Sequence, residues 1–550
     1  MHPPAYTMVD VLKALVPVLL ILLAIVLLVR RSEPPPLPSP LAPGEEDEEE
    51  AEEEDEESAG AASGGANRPR WRRQDSVQWD RVIPAVIAVG FYLLGLWRLG
   101  QPNEMVFDEV HHSRTAMEFV LGQNPHEWTH PHFAKLMMAA GLMAWGGHFD
   151  PSDGVWQDSG EYPERAVIGW RFPSLVFGAL ALVVMYALAR RLLRHRGAAT
   201  LATVFLALDG VFFVQSRTAM TNIYTVFFIL LATFGVWRFF EEDRARFLAL
   251  AGLAIGGALS SRWSSLYAWA LLLLALFVHH VWSERRQRGD GSGLPLARSI
   301  RWAALVLSLF FVLPAAVYLA TYIPFVLQGE QGTYAEKLFS ADYGNHGWGK
   351  VLSMQGDMWR YHSGMKDTHP YNSPWWSWPL VLRPVWYYWR GDGNVTRGIW
   401  CIGNVFIWWA SIPAFVIAAR LAWRQRNAAV ALVVLMGLGQ WLLWGVKARS
   451  LNFLHYMFES IPFVCLALAY IFYSAWRRRE VGTNLAPREN MGNGEEEGDA
   501  PDPWTAERRF VVFYCALIVA WFLFFYPLLS ALPIPQRFYD FHLWMGRPWV

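Results

Sequence analysis

Phe107-Asp108-Glu109-Val110-His111-His112, followed a little further on by Thr129-His130-Pro131-His132-Phe133-Ala134-Lys135, lies between apolar segments 82–99 and 169–189. Each segment is about long enough to cross a bilayer. The stretch therefore sets two adjacent carboxylates, a His-Pro and a lysine against a membrane face. Charge held against a membrane is costly, so its first reading is functional.

The rest of the chain supports a membrane body. The 550 residues are 54% hydrophobic and only 17% charged. A soluble chain of this length carries more charge and divides into several domains. The apolar residues also come in runs. Net charge is −1, which gives no sign of nucleic-acid binding. Cys401, Cys465 and Cys515 sit in apolar runs, so neither a disulfide framework nor a thiolate metal site is expected.

Residues 1–31 read as an N-terminal transmembrane anchor, its apolar stretch closed by Arg30-Arg31. Residues 32–80 form an acidic linker too poor in core residues to fold, ending in the basic cluster Arg68, Arg70, Arg72 and Arg73. Residues 81–476 carry the main membrane body, 477–509 a polar insert, and 510–550 a last span with a tail. About eleven core spans fit: 82–99, 169–189, 198–216, 221–238, 246–261, 265–282, 302–324, 399–419, 428–446, 453–475 and 510–531. Arginines crowd alternate short loops, which orients those loops to the cytoplasm. Loops 100–168 and 325–398 and the C-terminal tail then face outward, and the insert faces inward.

This orientation makes outer-face cations informative. Lys135, Arg171, Arg217, Arg262, Arg383, Lys447 and Arg449 all fall there. Each alone could be a snorkelling anchor. Together they suggest a bilayer-level cavity for an anion such as phosphate.

Several motifs carry chemistry. Asp108-Glu109 can divide the work of a general base and an acceptor-orienting group. His126-Glu127-Trp128-Thr129-His130 matches the zinc-protease pattern, but Pro131 pushes His130 out of helical geometry. No metal site is therefore expected. A divalent cation bridging Asp108 or Glu109 to a phosphate through water is the remaining alternative. Asp209, inside span 198–216, can be a structural acid or a functional one. The stretch His369 to Leu380 is dense in Trp and Tyr, fitting either an interfacial belt or a lid over a sugar or peptide. Asn394-Val395-Thr396 matches a glycosylation acceptor and is given no role.

These blocks together resemble the protein O-mannosyltransferases, integral-membrane enzymes that use lipid-phosphate sugars. The similar blocks are Asp108-Glu109-Val110-His111, His130-Pro131-His132-Phe133-Ala134-Lys135 and Trp170-Arg171-Phe172-Pro173-Ser174-Leu175. Asp209-Gly210, Gln215 to Met220, the 369–388 block and His455-Tyr456 with Pro462-Phe463 follow in order. Trp128 and His132 depart from the family pattern. The second outer loop is too short for the β-rich insert of eukaryotic members, so the resemblance is to a bacterial type.

The resemblance implies an all-α polytopic protein of the GT-C glycosyltransferase fold. It implies inverting transfer of mannose from polyprenyl-phosphate-mannose to Ser/Thr hydroxyls of translocating or secreted proteins. The site would lie on the outer side of the plasma membrane, in contact with the secretion translocon. Asp108 would be the catalytic base and Glu109 its support. Lys135, Arg171 and Arg217 would bind the donor phosphate, and His130, His369, Tyr371, Trp375 and Arg383 the substrates. No cofactor is implied. Two other classes stay open. One is a sister enzyme acting on a glycolipid or polysaccharide. The other is a transporter, against which stand the lack of an internal repeat and the gathering of polar residues at one face.

Overall fold

The computed structural model describes residues 71–145, 160–288, 296–327, 346–446, 450–476, 505–543 and 546. The anchor, most of the linker, Lys447, Arg449 and most of the polar insert lie outside those residues. The first described helix, Trp71–Leu96, begins before the first expected span, so residues 71–80 of the expected linker are helical.

Nine described helices are long and apolar enough to cross a bilayer. The pair Arg196–Ala207 and Gly210–Arg217, bent by 62°, makes a tenth. Ala245–Ser261, at 17 residues, matches the expected span 246–261 but is shorter than the others. Exposed Trp79, Trp282 and Trp423 sit at one end of the bundle, and Trp97, Trp376 and Trp389 at the other. This is the amphipathic-ring distribution found at the two faces of a bilayer.

The breaks in the spans have local causes. At the bend, Asp209 caps the helix Gly210–Arg217 by accepting from the Phe212 N–H. Its other oxygen accepts from the Asn404 N–H at 3.0 Å and the Trp408 indole at 2.7 Å. Asp209 is thus a fully engaged structural acid. In span Leu296–Leu327 a π-helical turn, Ser308–Val312, precedes Pro314. Proline removes the N–H that would bond the carbonyl four residues back. That carbonyl, of Phe310, accepts instead from the Trp269 indole at 2.9 Å.

Helices Phe133–Trp145 and Glu164–Leu193 cross at Gly141, where an added Cβ would meet the Gly169 carbonyl at 2.2 Å. This contact sets the two helices that carry Lys135 and Arg171 side by side.

The second outer loop departs from the all-helical expectation. Strand β1 (Val385–Gly391) pairs antiparallel with β2 (Val395–Cys401). The turn between them is fixed by Asp392, whose carboxylate accepts the Asn394 and Val395 N–H groups. Residues 399–401, expected to open a span, belong to β2, and the helical span runs Val405–Gln425. A short β3 (Ile534–Pro535) from the C-terminal tail completes the sheet through Thr396 and Ile534. The tail and the second loop therefore lie on one side, as the charge pattern requires.

Candidate active site

The first outer loop makes a tight turn at residues 106–109, closed by the Glu109 N–H donating to the Val106 carbonyl at 2.9 Å. Glu109 is fully buried. Arg171 grips it with two bonds of 2.8 Å, from Nε to Oε1 and from Nη2 to Oε2. The Val106 and Ala219 N–H groups fill its remaining sites at 3.0 and 2.8 Å. The other guanidinium hydrogens go to the carbonyls of Leu99, Pro102 and Glu104. A carboxylate with four donors has no lone pair left for an acceptor. An arginine with five acceptors has none of its fork left for a phosphate. The expected roles of Glu109 in acceptor placement and Arg171 in phosphate binding find no unused donor or acceptor on either group in this structure, where the pair fastens the turn to span Glu164–Leu193.

Lys135 has the same fate. It is fully buried, and its three donors reach Glu127 O, Glu127 Oε2 and His130 O, each at 2.7 Å. Glu127 also accepts from the His130 N–H at 2.9 Å and from the Thr129 hydroxyl. Burial alone would raise this carboxyl. Lys135 and the neighbouring His112 and His130 outweigh it and hold the group well below the usual carboxylate range. Burial pushes the His130 imidazole down to about 3, so it is neutral at physiological pH. His362, from helix Trp348–Gly364, meets the Thr129 carbonyl at 2.7 Å and joins the second loop to this network. Residues 126–130 are not helical. The Lys135 ammonium is a structural cation and does not face an anion site.

Arg217 points its guanidinium at the Gly95, Trp97 and Arg98 carbonyls, at 2.9, 3.0 and 3.1 Å. These are the carbonyls left over at the end of the first span, which a C-terminal cation satisfies well. In this structure its guanidinium is engaged by main-chain carbonyls, that of Leu529 included, and no anion site is formed around it by the described residues.

Two charges remain open. Asp108 occupies the N-cap of helix Glu109–Val120 without capping it through its side chain. It is half-buried; its carbonyl accepts the His111 and His112 N–H groups, but its carboxylate makes no hydrogen bond or ion pair among the described residues. Arg262, at the C-cap of helix Ala245–Ser261, is half-buried. It lies 4.5 Å over the Tyr456 ring and donates to Asn222 Oδ1. It meets no carboxylate within ion-pair distance among the described residues. Both charges act on the Tyr387 hydroxyl, which accepts from Gln215 at 2.7 Å and meets His455 Nδ1 at 3.4 Å.

Next to Asp108 in the chain, Phe107 belongs to an aromatic cluster. Phe107 has φ +47°, a left-handed backbone that costs a side chain of this kind about 1–2 kcal/mol. Its ring stacks on Tyr387 with centroids 4.5 Å apart and planes 2° apart. His369, Phe453 and His455 meet it edge-on at 6.0, 5.6 and 6.0 Å. His369 also feels the Asp108 carboxylate, although burial leaves its imidazole below its ordinary value.

The remaining expected substrate residues divide. His369 meets the Phe107 ring and feels the Asp108 charge, and His130 feels the charge of Arg262. Tyr371 and Arg383 shape the 369–388 block, where Arg383 donates to the Pro370 carbonyl at 3.0 and 2.8 Å. Trp375 packs on Trp441 at the end of helix Ala428–Leu442, and its own carbonyl accepts the Trp441 indole. Nothing in these contacts brings Trp375 to Asp108. Phe107, Tyr387 and His455 were not selected from the sequence, although all three stand in or beside the quoted blocks. Their signal was aromatic spacing around one acid, which only the fold assembles.

Comparison with known proteins gives a consistent result. The family model for dolichyl-phosphate-mannose-protein mannosyltransferase matches residues 86–326. A model for the C-terminal four-helix membrane region of protein O-mannosyltransferase matches residues 347–548. A polyprenol-phosphate-mannose–protein mannosyltransferase of Mycobacterium tuberculosis is 23% identical over 82% of this chain and 88% of its own length. The protein of the same name from Corynebacterium glutamicum is 24% identical over 86% of this chain and 94% of its own. Among solved structures, a chain of the Saccharomyces cerevisiae protein O-mannosyltransferase Pmt1-Pmt2 complex bound to the sugar donor has a TM-score of 0.65. It is 15% identical and covers 86% of this chain and 92% of that one. The architecture is that of the GT-C glycosyltransferases.

Proposed function

Because this chain belongs to the dolichyl-phosphate-mannose-protein mannosyltransferase family, we infer that it transfers mannose from a polyprenyl-phosphate-mannose to Ser/Thr hydroxyls of proteins. The observation that carries the site assignment is Asp108. It is a half-buried carboxylate with no side-chain hydrogen-bond or ion-pair partner among the described residues, and it acts on the same Tyr387 hydroxyl as Arg262, a half-buried arginine that meets no carboxylate among them.

In this reading the acceptor hydroxyl gives its proton to Asp108 as its oxygen attacks the anomeric carbon. The bond from that carbon to the phosphate oxygen breaks on the opposite face, inverting the centre. The electron pair leaves with the lipid phosphate. Arg262 stands where it can neutralise the charge growing on the leaving oxygens, an interaction stronger in the transition state than before it. The multi-pass body holds the lipid tail at bilayer depth. The Lys/Arg pattern supports a site on the outer side of the plasma membrane, where acceptors would be met as they emerge from the secretion translocon.

Purified protein in lipid nanodiscs, given polyprenyl-phosphate-mannose and a Ser/Thr-rich peptide, is expected to leave hexose on the peptide. Transfer to a glycolipid or polysaccharide with the peptide untouched would move the assignment to the sister class. Mass spectrometry of secreted proteins with and without the gene gives the same test in cells, through hexose lost from Ser/Thr.

A further inference from the structure

Asp108 is bracketed by two differently held residues. On one side Glu109 is locked by Arg171. On the other, Phe107 sits in a left-handed conformation that its own backbone does not favour. Such a conformation persists only where the surroundings over-determine it. Here the surroundings are the Phe107 ring and its box: Tyr387 stacked on it, with His369, Phe453 and His455 on its edges. The box comes from the second outer loop and the segment before helix Ile461–Trp476, remote in sequence from the turn. Tyr387 is itself fixed by Gln215.

We propose that Phe107 is a positioning residue: its ring, clamped against Tyr387, holds the turn in the conformation that presents the Asp108 carboxylate to the acceptor hydroxyl. The ring need not touch a substrate. It acts through the next residue, because a change in φ at 107 swings the Asp108 side chain about the chain direction while Glu109 stays anchored. This rests on Asp108 being the base, and the test below separates the two ideas.

The experiment is a double-mutant cycle on the full chain in nanodiscs, with Phe107→Leu, Asp108→Asn and the pair. Peptide mannosylation, donor KM and thermal midpoint are read for each. Displacing a reacting group by about an ångström can cost on the order of 100-fold in rate. Phe107→Leu is therefore expected to lower kcat about 10- to 100-fold. Donor KM should stay within about threefold and the thermal midpoint close to the parent's, since the ring is a positioning device rather than a binding one. In the Asp108→Asn background the same change should cost nothing further, because no base remains to be positioned. Full additivity of the two substitutions would overturn the proposal. So would a Phe107→Leu loss confined to donor KM. If Asp108→Asn alone transfers at the parent rate, it is the base assignment that fails instead.

Should Phe107→Leu fail to fold, Tyr387→Leu takes its place. It removes the stacking partner and leaves residue 107 intact, and the same non-additivity with Asp108→Asn is expected. Additivity there overturns the proposal equally.

Discussion

Two groups of charge, drawn from the first outer loop and from helices Glu164–Leu193 and Ala245–Ser261, are held in opposite ways. Glu109 with Arg171 and Glu127 with Lys135 are buried, and each charge faces a counter-charge and backbone groups at 2.7–3.0 Å. Asp108 and Arg262 are half-buried, and neither meets an opposite charge within ion-pair distance among the described residues. Burying an ion is expensive unless every lone pair and proton is answered. The closed pairs meet that condition and so can serve as a frame. The Asp108 carboxylate spends no lone pair on a described residue, and Arg262 meets Asn222 and the Tyr456 ring but no counter-charge among them. Proximity of charge to a membrane face is therefore not enough to mark a catalytic group. Whether its hydrogen-bonding capacity is already spent decides the matter.

The sharpest way to break this contrast is to open a closed pair. Glu109→Gln leaves Arg171 buried with an uncompensated charge, and breaking such pairs costs about 3–5 kcal/mol. The expected result is a large fall in thermal midpoint or failure to accumulate. Arg171→Met should behave alike, and the double variant should recover part of the loss, since no lone charge remains. A Glu109→Gln protein that melts like the parent but has lost turnover would return Glu109 to the chemistry.

Asp108→Asn probes the other side. It keeps size and removes basicity. Turnover is expected to fall by about 100-fold or more, the usual scale for a general base. Melting and donor binding should be unchanged, because no protein contact is broken. A lowered midpoint would mean that Asp108 belongs to the frame.

Arg262→Met and Lys135→Met form a matched pair of charge removals. Loss of a charge-assisted hydrogen bond is worth about 1.5–3 kcal/mol, or roughly 10- to 100-fold. For Arg262→Met that loss should show in donor KM and kcat together. For Lys135→Met it should show as instability. The reverse pattern would restore Lys135 as the phosphate ligand and remove Arg262.

The sequence carried the membrane body well, because span length and the arginine bias of alternate loops are written in composition. It also carried the neighbourhood of the site, since Asp108, His369 and Arg262 were all singled out in some form. What it could not carry was pairing. Arg171 and Glu109 are 62 positions apart, and only the crossing of two helices at Gly141 and Gly169 decides that they meet. Outer-face cations look like one basic cluster in the sequence because their partners, a glutamate for some and helix-end carbonyls for Arg217, are invisible to a count of charges. The small sheet was missed for a related reason. The apolar run that continues β2 into span Val405–Gln425 looks like one long hydrophobic segment, and only the Asp392 turn marks the hairpin.

The smallest expected effect tests the closed network through pH. His130 is held neutral, its imidazole pushed down to about 3 by burial. In the unfolded chain an imidazole titrates near 6.5. Below that value the unfolded state takes a proton that the folded state refuses, so stability must fall as pH drops from about 6.5 toward 3. Glu127 acts in a different window. Its depressed carboxyl adds stability above the ordinary carboxylate range and loses it only as pH falls through its lowered value. Between about pH 6.5 and 5, then, the histidine term operates before the glutamate term begins. Each such group can contribute at most about 1.4 kcal/mol per pH unit. His111, His132 and His369 are also held down, so the slope is shared. His130→Gln cannot be protonated in either state and should flatten the fall in thermal midpoint over that range without removing it. An unchanged slope would mean that the His130 ring takes up its proton in the folded state as readily as in the unfolded one. The network around Glu127 would then be open to solvent, and the contrast with Asp108 would be lost on that side.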